Sequence, residues 1–200
     1  MRIDRNLWGA LLFFAAEIVA AQSFQEGDLI FREGTEWVSE AVRIVDDGPF
    51  SHVGMIVGSE GRWQVLHATP AERPGGSDIV ILDDLAFFIA PERSRHFAVY
   101  RVWANTDQSE KAVRYLRSQL GKTFSIGNDE KDLYCTTLVW RAWQAAGVDL
   151  KTPFTYLNIP LISGEYLLPN VLSRSPLLTE VAQKKTISTK QTPNTSLPDQ

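Results

Sequence analysis

Three side chains in this sequence are of the types that nucleophilic catalysis uses: Cys135 in LYCTTLVW, His52 in SHVGMIV and His67 in RWQVLHA. Cys135 is the only cysteine, so it has no partner within the chain for a disulfide. A thiol attacks as its thiolate, and an ordinary cysteine is only about 3% ionised at pH 7. A helix N-terminus or a neighbouring histidine is what commonly shifts that balance. Asp132 suits an N-cap, which places Cys135 in the first turn of a helix from about Leu133 to Ala146, stopped by Gly147. The same residue also suits core filling. Helical steps from Cys135 reach Leu138, Val139, Ala142, Trp143 and Ala146, an apolar stripe, so the thiol faces inward.

The histidines fall on strands. Alternation puts His52, Gly54 and Ile56 on one face of the first strand, and Trp63, Val65 and His67 on one face of the second. If Ser59-Glu60 is a two-residue loop, Gly58 pairs with Gly61 and His52 stands directly opposite His67, their Cβ atoms ~5 Å apart. Gly54, opposite Val65, then leaves a gap for a close approach by the helix start. A base within reach of a thiol, itself oriented by a third polar group, is the arrangement of an activated nucleophile. Cys135, His52 and His67 can fill those roles if the cysteine helix packs on the histidine face.

The elements that must hold them are readable in outline. EGDLIFRE at 26–33 is a turn and strand, and a helix from about Thr35 to Val45 has Trp37, Val38, Ala41, Val42 and Val45 on one stripe. The two histidine strands follow, then IVIL at 79–82 and HFAVYRVW at 96–103. Asp107 to Glu110 has capping-box spacing and opens a helix that Gly121 closes. Residues 152–174 read as loop-rich, and the chain from Gln183 lacks an apolar pattern. This is an α+β chain with a small, mainly antiparallel sheet packed against the cysteine helix.

Arg2 and Arg5 followed by LWGALLFFAAEIVAA and the small residues Val19-Ala20-Ala21 read as a signal peptide over 1–21. That leaves a domain over 22–182 and a disordered tail over 183–200, in an exported protein, periplasmic or secreted. The apolar run is short of the ~20 residues of a membrane span, so no span remains once the signal is removed. A net charge of −4 argues against a nucleic-acid partner.

Other features claim less. His96, beside Arg95, reads as an exposed edge residue. The histidines and the cysteine lack zinc-ligand spacing, so neither a metal nor another cofactor is expected. Asp46-Asp47 and Asp83-Asp84 read as caps or turns, and Gly75-Gly76 lacks phosphate-loop context. Trp63 and Trp140 can rim a cleft, and FFIAPER at 87–93 can form a lid.

GDLIF at 27–31, SHVGMIV, LHA at 66–68 and YCTTLVW together resemble the circularly permuted NlpC/P60 papain-like superfamily. The nearest group is the YiiX/YebB-like cysteine hydrolases, related to the lecithin retinol acyltransferase-like proteins. The histidine precedes the cysteine here, as in the permuted group. The resemblance implies a papain-like fold with Cys135 as nucleophile, His52 as base and His67 as the third polar residue. It also implies an oxyanion held by backbone N–H groups at the helix start, with Tyr134 either lining the site with its hydroxyl or serving as a packing aromatic. The expected substrate is a peptide or other amide, a peptidoglycan stem peptide in an exported protein. Acyl chemistry on lipids or thioesters, and a binding module with an idle site, are the alternatives.

Overall fold

A computed structural model describes residues 23–35, 37–72, 75–127, 131–159 and 162–185. The expected signal segment and the tail beyond Lys185 lie outside the described residues. In chain order the elements are β1 (Leu29–Gly34), α1 (Trp37–Val45), β2 (His52–Val57), β3 (Gln64–Thr69), β4 (Ile79–Asp84) and α2 (Leu85–Phe88). There follow β5 (Ser94–Val102), α3 (Thr106–Arg117), α4 (Cys135–Ala145), β6 (Thr155–Ile159), β7 (Ile162–Tyr166), α5 (Pro169–Ser173) and β8 (Leu178–Lys185). The main sheet has the order β4-β3-β2-β1-β5-β8 and its pairs are antiparallel, while β6 and β7 form a separate two-stranded sheet. The α+β expectation holds.

Both faces of the main sheet are covered. Leu29, Phe31, Val53, Met55, Leu66 and Ala68 pack with Leu138, Val139, Ala142 and Trp143 of α4 and with Leu116 of α3. Ile30, Ile56, Val65, Phe97 and Val99 form a second cluster with Phe88 of α2. That double burial explains why every residue of β2 is buried, and why its sequence reads as a continuous apolar run. Leu138 alone, fully buried, contributes about 1.5–3 kcal/mol by removal from water.

Several local expectations shift. The β2–β3 register is Met55↔Leu66, Ile56↔Val65 and Val57↔Gln64, two residues away from the two-residue-loop reading. The connection is longer because Arg62 N–H closes a turn onto the Ser59 carbonyl, with Gly58 and Gly61 both at positive φ. A slip of two keeps every side chain on its face. It places His67 opposite Gly54, so His52 and His67 are diagonal rather than direct neighbours.

The cap of α3 is Asn105, whose side chain accepts from Gln108 N–H while the Gln108 side chain accepts from Asn105 N–H; the box lies two residues before the expected one. Gln183, expected in the tail, pairs with Ala98 in β8. An edge strand lacks the apolar signature of a central strand. The loop-rich stretch 152–174 contains β6, β7 and α5.

Candidate active site

Tyr134 is the N-cap of α4, so Cys135 is its first helical residue rather than its third. Thr137 Oγ1 reaches back to accept from Tyr134 N–H at 3.0 Å, and Asp132, the expected cap, lies two residues before the N-cap. The residues on either side of the cysteine clasp the backbone of Leu167. Tyr134 Oη accepts from Leu167 N–H at 3.0 Å, and Thr136 Oγ1 donates to the Leu167 carbonyl at 2.6 Å. The Tyr134 hydroxyl is therefore turned toward Leu167, and burial pushes its pKa up to about 12. Its ring packs with Tyr166 and Leu168.

The apolar stripe of α4 covers the Val53/Met55 face of the sheet. The histidines lie on the opposite face, where His52 and His67 pack against Phe88 with ring centroids 5.7 and 5.1 Å away. The cysteine helix thus does not pack on the histidine face. The thiol instead meets β2 at its backbone, where the N–H groups of Val53 and of Thr136 favour its thiolate. β2–β3 pairing has already ended at Met55↔Leu66, which leaves that end of the strand open to a visitor. Val53 is the residue after His52, so nucleophile and imidazole meet β2 at adjacent positions.

His52 Nε2 and His67 Nδ1 are 2.8 Å apart, and His67 Nε2 is 3.2 Å from Asp83 Oδ2. The open space at Gly54 permits the diagonal contact. A Cβ there would lie 2.4 Å from Val65 Cγ1 and 3.1 Å from His67 Cβ. Gly54→Ala is expected to cost about 1–3 kcal/mol by overpacking, read as a lowered melting temperature, and to displace His67 with a loss of activity.

Arg32 pairs across the ladder with His52 and is 2% exposed. Its guanidinium donates to the Phe88 carbonyl at 3.0 Å and to Glu72 Oε1 at 2.5 Å, and lies over the Phe88 ring. Glu72 is further held by Arg93 at 2.7 Å and by Thr69 Oγ1 at 2.7 Å. Burial opposes the Glu72 carboxylate, but Arg32, His67 and Thr69 outweigh it and hold its pKa below the usual value.

Burial, with the repulsion of Arg32 and His67, holds His52 well below the ordinary histidine value. Burial also lowers His67, against the pull of Asp83. Burial pushes the Cys135 thiol up to about 11, although the N–H groups of Val53 and Thr136 and the charge of Arg32 favour its thiolate. Desolvation wins over the helix terminus. Thiol and imidazoles are neutral at rest.

One ligand atom each from His52, His67 and Glu72 lies within 4.8 Å of the others, a grouping that a metal ion could in principle use. The donors do not fit one. The two ring nitrogens hydrogen-bond each other, and the Glu72 carboxylate is neutralised by two arginines, one of them buried. A cation would have to displace Arg32 or sit beside it.

Of the expected site residues, His52 and His67 meet directly, Cys135 sits against the strand that carries them, and Tyr134 braces the cysteine from behind. Sequence reasoning missed Asp83, which is an inward residue of β4, 4% exposed, and not a cap. Alternation through Ile79, Ile81 and Asp83 would have placed it beside His67. It missed Arg32 as well, although Ile30 and Arg32 alternate onto the histidine face. His96 is buried rather than exposed, and its ring stacks on Phe50.

Residues 23–182 match the permuted papain-like amidase enzymes of the YaeF/YiiX, C92 family. YiiX of Escherichia coli K12, an uncharacterized protein, is 27% identical over 126 residues, covering 61% of this chain and 58% of that protein. The match thus spans little more than half of that relative. A crystal structure of YiiX from Escherichia coli O157:H7, titled a metalloprotein, shares the fold with a TM-score of 0.68 and 23% identity, over 81% of this chain and 98% of that one. With the family matched over residues 23–182 and the histidine strands of a six-stranded antiparallel sheet preceding the cysteine helix, the chain belongs to the permuted papain-like amidases of the C92 family, a family of cysteine hydrolases.

Proposed function

We propose that the chain hydrolyses a peptide amide, with Cys135 as nucleophile, His52 as general base and His67 as its orienter. Cell-wall stem peptides are the substrate class we assign. The observation that carries the catalytic reading is the chain of contacts from Asp83 to His67 at 3.2 Å and from His67 to His52 at 2.8 Å, from which a direction follows. Asp83, as a carboxylate, only accepts, so His67 carries its proton on Nε2 and presents a bare Nδ1. His52 must then donate from Nε2, which leaves its own Nδ1 unprotonated. A buried imidazole with one bare nitrogen, beside the strand backbone on which the only thiol rests, is a base awaiting a proton.

In the reaction the sulfur bonds to the substrate carbonyl carbon as the thiol proton passes to His52 Nδ1, and the carbonyl π electrons move to oxygen. Backbone N–H groups at the start of α4 have no helical partner and face the developing charge. Collapse breaks the C–N bond, and the leaving amine takes the proton from His52. Water, deprotonated by His52, then releases the acid and restores the thiol. Because both partners start neutral, proton transfer accompanies attack rather than preceding it. The substrate class is supported by the signal-like N-terminus and by the amidase family.

The test is hydrolysis of purified stem-peptide fragments and of short-chain acyl esters by the wild type and by Cys135→Ala. Amide cleavage lost in the variant supports the reading. Turnover of esters alone, or amide cleavage that survives the substitution, sinks it.

The neutral resting state makes its own prediction. Alkylation of Cys135 by iodoacetamide should be slow at pH 7 and climb through pH 9 and beyond, tracking a thiol pushed up to about 11. A rate plateau already reached below pH 8 would show a preformed thiolate instead.

A further inference from the structure

We infer that Asp83 is a positioning residue for the reaction, fixing through His67 the tautomer that makes His52 a base. The inference rests on the catalytic reading above and adds a residue to it. Four observations support it. Asp83 is the penultimate residue of β4, on the inward side, 4% exposed. Its Oδ2 lies 3.2 Å from His67 Nε2. His67, itself fully buried, joins His52 at 2.8 Å through its other nitrogen. Phe88 packs on both rings and holds them in a T-shaped arrangement, 81° between planes.

A pair of neutral imidazoles has two opposite hydrogen-bond directions available. In one, His52 Nε2–H donates and Nδ1 is bare. In the other, His67 Nδ1–H donates, His52 accepts at Nε2, and the His52 proton sits on Nδ1. Only the first leaves a base at His52 Nδ1. Nothing within the two rings chooses between them. Asp83 chooses, because a carboxylate accepts and therefore requires the proton on His67 Nε2. When His52 takes the thiol proton, Nε2–H still donates to His67, and the negative charge of Asp83 stands behind the imidazolium. No proton moves at His67 or Asp83 in this account. The arrangement extends the familiar role of a carboxylate behind one catalytic histidine by one further ring.

The experiment is two-bond ¹H–¹⁵N spectroscopy of histidine-labelled protein, with pH-rate profiles, for the wild type, Asp83→Asn and Asp84→Asn. The chain has three histidines, so each ring can be assigned by substitution. The wild type is expected to show His52 and His67 both protonated at Nε2 at pH 7.5. Asp83→Asn can present either its oxygen or its amide to His67. It should mix or reverse the tautomers, lower kcat/KM by roughly 10²-fold with little change in KM, and move the acid limb to lower pH, because the charge favouring the imidazolium is gone. Asp84 is exposed and its variant should match the wild type.

A merely structural Asp83 would lower the rate without moving tautomers or the acid limb, and that result overturns the inference. So does a wild type with the proton on His52 Nδ1. Should Asp83→Asn misfold, Asp83→Glu, which keeps the carboxylate, must retain the wild-type tautomers. Tautomers as stated in a wild type that cleaves no amide would overturn the hydrolase reading and leave the assignment of Asp83 standing.

Discussion

Cys135→Ser is expected to lose at least ~10⁴-fold in kcat/KM on a peptide amide, the scale seen when a hydrolase loses its nucleophile. A hydroxyl is far harder to deprotonate than a thiol, and the base here is weak, since burial holds His52 well below the ordinary histidine value. The serine oxygen would therefore stay protonated through attack. The fold should survive. Cys135 is 9% exposed and lies at a helix start held by two hydrogen bonds to Leu167 that its side chain does not make. A melting temperature within a few degrees of wild type, together with absent turnover, is the expected pair of results. A variant with substantial residual activity would remove Cys135 from the chemistry.

His52→Gln is the second large effect, expected at ~10³–10⁴-fold in kcat, near the upper range for loss of a general base. Glutamine can still donate from its amide to His67 Nδ1, so the buried pair stays satisfied, but its oxygen is no base at neutral pH. The sign of the pH dependence follows from the direction of the shift. His52 must be neutral to act, and its pKa lies well below the usual value. Wild-type kcat/KM should thus hold its plateau below pH ~6.5, where an ordinary histidine would already be half protonated. That acid limb should vanish in the variant. Rate measurements from pH 4 to 8 decide it; a limb unchanged by His52→Gln would assign the titration to another group.

Much of the site was legible because it depends on residue type and on a period of two. His52 and His67 share a face whichever even register the hairpin takes, so a slip of two residues left the pair intact. What failed was geometry that alternation does not encode. Loop length set the register, through a turn closed at Ser59 and Arg62 that the glycines alone did not specify. The face chosen by α4 depended on which side α2 would occupy, and Phe88 of that one-turn helix has no periodic signature. Asp132 looked like the better cap by residue preference, yet Thr137 reaching back from within the helix made Tyr134 the boundary. Glu72 comes from an irregular loop, and only the folded chain brings it to Arg32. The raised pKa of the cysteine was out of reach for a related reason. Position in a helix can be read from sequence, whereas the depth of burial that outweighs it cannot.

The sealed, protonated thiol has a consequence for durability. Peroxide and small disulfides attack thiolates, and their attack on protonated thiols is very slow. With its thiol pushed up to about 11 by burial, Cys135 carries far less thiolate at pH 7 than an ordinary cysteine. An unpaired cysteine in an oxidising medium would otherwise drift toward sulfenic acid or mixed disulfides. Here the burial that keeps the thiol protonated also preserves it, so the nucleophile proposed for the reaction stays reduced without a second cysteine to rescue it.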